Sequence, residues 1–480
     1  MKKKLLREWY FKKKEFSRFL AFHQKDSQWG NSELWACLQL GMYEIILSTK
    51  VEIENWHSLF AHILANATRG NNEKVFFLLN NLEHCKKCSK HIKFLINALS
   101  PLFPQQALVI AKKYKKIPYL LELSLLIELD KYDVSILDLS QKIKNKYYRK
   151  QPESLLFYSN LNKNFLSKEK LTLLNKFLLF FNLSKIRLKD YDKPINIHNF
   201  LSPNINYNCN DTDLVTVVMT TYNSSITLQT ALDSILVQSY RNLEIIIVDD
   251  ASSDETVSMI KNYIQKDDRI KLISLNTNVG TYVAKNIALK VAKGKFITCH
   301  DSDDFSHISK IEKQVLPLIN NDKLIATISN WIRIDDNGNY YTRHLYPFTR
   351  LNLSSLMFRR EDIATKIGFY DSVRTGADSE FLARLKLAFN KKNILKIKKP
   401  LSFGAHRENS LMNAKDTGHN KDGLSLDRLE YWESWNQWHI DVLRENSSFY
   451  IGLNNQRLFN APKKIVVNSE DILKVNEESK

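Results

Sequence analysis

Two near-continuous apolar runs constrain this chain most: Leu214-Val215-Thr216-Val217-Val218-Met219 and Leu243-Glu244-Ile245-Ile246-Ile247-Val248. A strand with one wet face alternates apolar and polar residues, whereas a strand covered on both faces does not, and covered strands belong to parallel sheets. Between the runs, Ile226 to Val237 carries apolar residues at helical spacing, which completes a βαβ unit. A strand over Ile270–Leu275, a helix over Tyr282–Ala292 and a strand over Lys295–Thr298 continue the alternation. Ser252 with Glu255 has the spacing of a capping box and predicts a helix running to about Gln265. The expected architecture is an open α/β sheet, and such sheets bind ligands at the carboxyl ends of their strands. Thr221-Tyr222-Asn223, Asp249-Asp250 and Asp301 to Asp304 all fall at such ends.

The last of these clusters, Cys299-His300-Asp301-Ser302-Asp303-Asp304, is the most demanding chemically. Its carboxylates repel one another unless a cation or a set of donors neutralises them. Mg²⁺ or Mn²⁺ would suit oxygen ligands of this kind, and a site with few protein carboxylates leaves positions for the oxygens of a substrate diphosphate. An acidic turn capping the next helix explains the hexapeptide equally well. A calcium loop does not, because Phe305 and Ser306 stand where it needs a ligand and a glycine.

At 480 residues the chain exceeds one hydrophobic core. From residue 1 to 183 apolar residues recur at helical spacing, as in Leu34, Cys37, Leu38 and Met42, broken by short polar turns. An all-α stack of helical hairpins, loosely similar to tetratricopeptide solenoids, is expected there, with an interaction or scaffolding role. Residues 184–213, with Pro194, Pro203 and many asparagines, read as a linker; residues 214–425 hold the α/β domain, and 426–480 a C-terminal helix and tail. Leu429, Trp432, Trp435 and Trp438 give that helix enough aromatic surface to dock within the chain or on an outside partner.

Five scattered cysteines suit a reducing compartment, so a cytoplasmic location is expected. His84-Cys85-Lys86-Lys87-Cys88 with His91 has the spacing of half a zinc site, but no second cysteine pair lies nearby, and ordinary helix-borne thiols are expected. Charged residues interrupt the stretch after Met1, so no secretory signal is read, and no apolar run approaches a bilayer span. The net charge of +18 favours polyanions. A solvated surface is its plainest meaning, anionic attraction to an inner-membrane surface comes next, and sequence-specific nucleic-acid binding is not expected.

An ordered series of motifs adds to this. It runs Val215-Thr216-Val217-Val218-Met219-Thr220-Thr221-Tyr222-Asn223; Ile246-Ile247-Val248-Asp249-Asp250-Ala251-Ser252-Ser253-Asp254; Asn278-Val279-Gly280 with Ala284-Lys285-Asn286; Gly294-Lys295-Phe296-Ile297; and Asp301-Ser302-Asp303-Asp304. Gly368-Phe369-Tyr370-Asp371, Ala377-Asp378-Ser379-Glu380-Phe381 and His406-Arg407-Glu408-Asn409-Ser410 complete it. From about Leu214 to Met412 the chain thereby resembles the family 2 glycosyltransferases of the GT-A fold, a group that includes many bacterial capsule and lipopolysaccharide transferases.

The resemblance implies a Rossmann-like, mostly parallel catalytic domain and a set of roles. Thr221, Tyr222, Asn223 and Asp250 would hold the nucleoside, Asp250 accepting the imide hydrogen of uracil; Lys285 would serve the donor, and Asp303 the ribose or the metal. Asp304 would ligate Mn²⁺ or Mg²⁺ on the donor diphosphate, with His406 completing the metal shell and Arg407 holding the diphosphate. Asp378 would be the general base of an inverting transfer, although by itself it reads as the N-cap of a helix over Ser379–Phe389. The implied activity is transfer from a nucleotide-sugar donor, a UDP-sugar by preference, to a glycan acceptor of a surface polysaccharide, with polysaccharide assembly proteins as possible partners. A non-catalytic helical scaffold with a relic transferase domain and a protein-modifying glycosyltransferase are the alternatives. Nucleotidyl transfer lacks a Walker-type loop. The chain departs from the family pattern at Thr220 for proline, Ala251 for glycine, Lys285 for arginine, Ala288 for glycine and His300 for leucine.

Overall fold

Strands β1 (Val215–Thr221) and β2 (Leu243–Asp249) lie side by side and parallel, from Val215 opposite Leu243 to Thr221 opposite Asp249. Their apolar runs are explained by cover on both faces: Val218, Ile246 and Val248 enter one core, Val215, Val217, Ile245 and Ile247 the other. In the computed structural model, residues 2–24, 27–115, 117–131, 133–203, 212–406, 419–420, 423–453 and 457–478 are described. The other strands on the main path of this sheet are β3 (Ile270–Ser274), β4 (Phe296–Cys299), β5 (Asp304–Ser306), β6 (Ala326–Ile334), β7 (Met357–Arg359) and β8 (Ile394–Ala405). Their order across the sheet is β3-β2-β1-β4-β7-β6-β8-β5. The first four are parallel, β7 is antiparallel to β4 and β6, and β5 is antiparallel to β8. Strand order reverses between β1 and β4, which opens a crevice at their carboxyl ends. This is a GT-A-type mixed sheet, as expected.

The helix after β1 spans Leu228–Leu236, and those before β4 span Thr256–Ile264 and Thr281–Val291. The expected capping box does not form. The Ser252 hydroxyl donates to Asp249 at 2.6 Å, the Glu255 carboxylate accepts from Ser258, and Asp254 receives the Thr256 N–H at 3.0 Å, so the helix opens at Thr256. Nor do the acids at 301–304 cap the following helix, which begins at Lys310 behind Ser309.

Helices occupy the chain from Lys2 to Phe180. The earlier ones share one core, and the later ones join Phe305, Ile332, Ile334, Leu401 and Phe403 of the sheet in another. Residues 184–203, read as a linker, are tied down: Arg187–Leu188 pairs with Phe200–Leu201, and Ile186, Leu188, Ile195, Ile197 and Phe200 are buried. The helix-borne thiols are corrected too. Cys85 lies ahead of the Cys88–Leu99 helix and is joined to Cys88 by a disulfide, while the His91 ring stacks on Trp56 at 3.7 Å. The reversal before the helix brings the two Cα atoms to 5.6 Å, within disulfide reach. Cys209 lies outside the described residues.

The Leu426–Glu445 helix packs within the chain. Tyr431 and Trp435 belong to the core of the α/β domain and Ile440 to that of the first helices. Asn436 donates to the Leu40 carbonyl at 2.8 Å, and the Glu433 carboxylate receives the Ile45 N–H at 3.1 Å. No helix among the described residues is long and apolar enough to cross a membrane.

Candidate active site

At the end of β1, Thr221 is buried and donates its hydroxyl to Asp249 at 2.9 Å. Asp249 also receives the Ser252 N–H at 2.9 Å, so this first acid of the pair braces the loop after β2. The second, Asp250, lies one residue beyond β2 and is likewise buried. Its two oxygens receive the N–H groups of Val279 and Gly280, each at 2.7 Å. Burial pushes its carboxyl up, against the pull of those two amides and the charge of Arg374. Two lone pairs remain for a ligand N–H, so the uracil contact expected of it stays chemically open. Gly280 adopts φ 80°, a conformation that suits glycine, and this turns its amide toward Asp250.

Tyr222 and Asn223 follow β1 on the same edge. The Tyr222 ring is half exposed, offering a face for a base. Asn223, in the left-handed region at φ 47°, receives the Ser253 N–H at 2.9 Å and donates its own N–H to the Ser252 hydroxyl at 2.9 Å. The loops after β1 and β2 are therefore one hydrogen-bonded unit. Arg374, which the motifs did not single out, donates to the Asn278 side chain at 2.7 Å beside this unit.

The acids after β4 divide by environment. Asp301 pairs with Lys285 at 3.6 Å and accepts from Ser354; burial raises its carboxyl, but Lys285 and Ser354 outweigh that and hold it below the usual range. Lys285 is buried, which lowers its ammonium, yet the charge of Asp301 brings it above the ordinary value. Lys285 makes this ion pair through a single ammonium, without the planar fork of the arginine it replaces. Asp304 is also buried and is pushed well above the carboxylate range, first by burial and then by the charges of Asp303 and Asp301. Opposing it are Arg333 and the buried Lys310, whose ammonium burial lowers to about 8. Gly404 of β8 lies opposite both Asp304 and Arg333; a side chain there would come within 3.2 Å of the Asp304 carboxylate and 2.7 Å of the Trp331 ring.

A bound divalent cation would offset the burial and the neighbouring acids that disfavour an ionised Asp304, and the donors are hard oxygens. Among the described residues, no three His, Cys, Asp or Glu side chains gather to hold a metal by themselves. His406 lies one residue past β8; its ring stacks on Tyr341 at 3.7 Å. Arg407 lies outside the described residues.

Asp378 is the second residue of the Ala377–Phe389 helix, which starts two residues earlier than expected, behind Gly376 at φ 85°. Asp378 is therefore not the N-cap; its carboxylate receives the Ser379 N–H at 2.7 Å. Its charge reaches Tyr282, Lys285 and Arg428. Burial and then that charge hold the Tyr282 phenol protonated well above its usual range. Tyr282 and Arg428 escaped sequence reasoning because they lie far from Asp378 along the chain; only a tyrosine at the start of the Thr281–Val291 helix hinted at the first.

Residues 216–381 match the family model described as "Glycosyl transferase family 2". An uncharacterized glycosyltransferase of Haemophilus influenzae is 41% identical over 126 residues, 26% of this chain and 50% of that protein. The Escherichia coli protein named UDP-Glc:alpha-D-GlcNAc-diphosphoundecaprenol beta-1,3-glucosyltransferase WfaP is 39% identical over 119 residues, 25% of this chain and 46% of its own. The chain thus spans about half the length of the curated relatives it matches. Staphylococcus aureus TarS superposes with a TM-score of 0.33 at 20% identity, over 40% of this chain and 37% of that one.

Proposed function

We propose, for a chain whose residues 216–381 form a family 2 glycosyltransferase domain, that it transfers a sugar from a nucleotide-diphosphate donor to a glycan acceptor of a bacterial surface polysaccharide, with inversion at the anomeric carbon. The observation that carries this is the gathering of three separate polar clusters, at 221–223, 249–250 and 301–304, on one edge of the sheet at its reversal point. A UDP-sugar is the favoured donor; the named donor of the E. coli relative supports it, as does an Asp250 with capacity for an imide N–H.

In this reading Tyr222 and the 221–223 loop seat the nucleoside against Asp250, while Asp303 lies toward the ribose. Asp304 and Asp303 would hold Mn²⁺ or Mg²⁺ together with oxygens of the donor diphosphate, and His406, which stacks on Tyr341 and is not gathered with the two acids, would join them only on donor binding. When bound, such an ion supplies Lewis-acid neutralisation of the charge that develops on the departing diphosphate. Lys285 keeps Asp301 ionised and oriented beside that charge. As the acceptor oxygen attacks the anomeric carbon and the bond to the diphosphate breaks on the opposite side, the Asp378 carboxylate takes the hydroxyl proton. Tyr282, protonated, cannot compete for that proton.

The test is turnover of a panel of nucleotide sugars with Mn²⁺, Mg²⁺ or chelator. Hydrolysis or transfer from at least one donor only with metal is expected, and Asp304→Ala should lose metal-dependent donor binding. Full turnover by Asp304→Ala at ordinary Mn²⁺ would overturn the assignment.

A further inference from the structure

The helix over Lys2–Lys12 has two unlike sides. Toward the protein it sends Phe11, whose ring meets Phe16, Phe19 and His57; Tyr10, whose ring meets Phe22; and Arg7, which pairs with Glu33. Away from it stand Leu5, Leu6 and Trp9, with exposures of 62%, 43% and 46%. Leu5 and Trp9, four residues apart, share one ridge, and Leu6 adjoins it. Lys13 holds its ammonium over the Trp9 ring at 5.9 Å and Lys12 follows Trp9 by one turn, while Lys3, Lys4 and Lys14 are exposed toward the two ends of the helix; Glu8 is the one acid among residues 2–14. In the α/β domain Lys391 donates to the Lys13 carbonyl and pairs with Glu15 at 3.5 Å, and Lys392 and Lys396 are exposed.

We propose that this helix is an interfacial anchor that lays its Leu5–Leu6–Trp9 ridge into the surface of an anionic phospholipid bilayer. The charge and the ridge select the partner together. Lysines alone would suit any polyanion, but a nucleic-acid backbone gives two leucines and an indole nothing apolar to enter. A bilayer boundary offers acyl chains to the leucines, the headgroup level to the tryptophan and anionic phosphates to the lysines. The inward residues hold the helix to the body, so docking needs no unfolding of the side that Phe11 and Arg7 secure.

The full chain should co-sediment with vesicles of phosphatidylcholine containing one-third phosphatidylglycerol, and at least about tenfold less with phosphatidylcholine alone. Exchanging Leu5, Leu6 and Trp9 together for serine should lower binding to the anionic vesicles by about tenfold or more. Lys3→Gln with Lys4→Gln and Lys12→Gln should instead erase the preference for anionic lipid. A measurement on the unaltered surface guards against a misfolded variant: phosphatidylcholine with brominated acyl chains, mixed into the anionic vesicles, should quench a component of the tryptophan fluorescence that Trp9→Phe lacks. The proposal fails if the serine variant binds like the parent, if no quenching traces to Trp9, or if the chain ignores vesicles. Binding that is matched by heparin and lost with salt, without quenching, would mean simple polyanion attraction and would also refute it.

Discussion

Ala251 sits in the left-handed region at φ 64°, directly after the Asp249-Asp250 pair. An L-residue with a Cβ is disfavoured there by roughly 1–2 kcal/mol relative to glycine. Its methyl group is only half-buried, so removing it forfeits little packing. Against the relief stands the greater freedom that glycine gives the unfolded chain, roughly 0.4–1 kcal/mol. The Ala251→Gly variant should therefore be more stable by about 0.5–1 kcal/mol. Urea unfolding followed by far-UV circular dichroism would read this as a higher midpoint at unchanged slope for the transition that includes the sheet. Donor KM should not change, because the anchors of the loop, Ser252 on Asp249 and Ser253 on Asn223, are untouched. Ala251→Val provides the opposite sign, since a β-branched side chain tolerates positive φ worse than alanine. A neutral or destabilising glycine, or a valine as stable as the parent, would refute the strain argument.

Two further outcomes are expected. Asp378→Asn keeps the shape of the carboxylate but cannot take a proton, so transfer should fall about 10²- to 10⁴-fold with donor affinity nearly intact; an undiminished single-turnover rate would move the base elsewhere. His307 is buried between the Ser184 carbonyl at 3.0 Å and the Ser309 hydroxyl at 2.9 Å, and burial lowers its imidazole to about 4. The unfolded chain takes up that proton near pH 6.5, so the stability it contributes is present above pH 6.5 and is lost as pH falls toward about 4. His300, lowered to about 3 by burial and by Lys310, acts in the same direction. His307→Gln should flatten the pH dependence by about 1.4 kcal/mol per pH unit in that window, as read by urea midpoints across buffers; an unchanged slope would show that His307 does not titrate with unfolding.

The parallel strands were legible because burial on two faces leaves a run without alternation, and β1 and β2 have little else they can become. The acids at the strand ends were legible for a related reason: carboxylates so close in sequence are also close in space. What escaped depends on partners that spacing does not reveal. Ser252 and Glu255 have the spacing of a capping box, but Asp249 sits nearer to the serine and takes its hydroxyl. Residues 184–203 contain the prolines and asparagines of a linker, yet Ile186, Leu188, Ile195, Ile197 and Phe200 are scattered among them and reach the core. Cys85 and Cys88 have helical spacing, but the chain reverses before the helix starts. The surroundings of Asp378 come from a helix start at Tyr282 and from Arg428, and no local pattern joins those segments.

The Leu426–Glu445 helix gives the chain an order of events. The Asn436–Leu40 hydrogen bond closes over 396 residues of sequence, so the surface around Leu40, Gly41 and Ile45 emerges from the ribosome long before the helix that covers it. Trp432, whose ring lies 3.3 Å from where a Gly41 side chain would begin, arrives last at a site made first. Contacts so distant close slowly and leave apolar surface bare in the meantime. The first helices are thus a half-finished body during synthesis, and a cut near residue 184 would strand Ile440 and Trp432 on one fragment and their bed on the other. Nascent chains halted before residue 426 should be held by chaperones or nicked by proteases near Leu40, and should become resistant once the helix has been made.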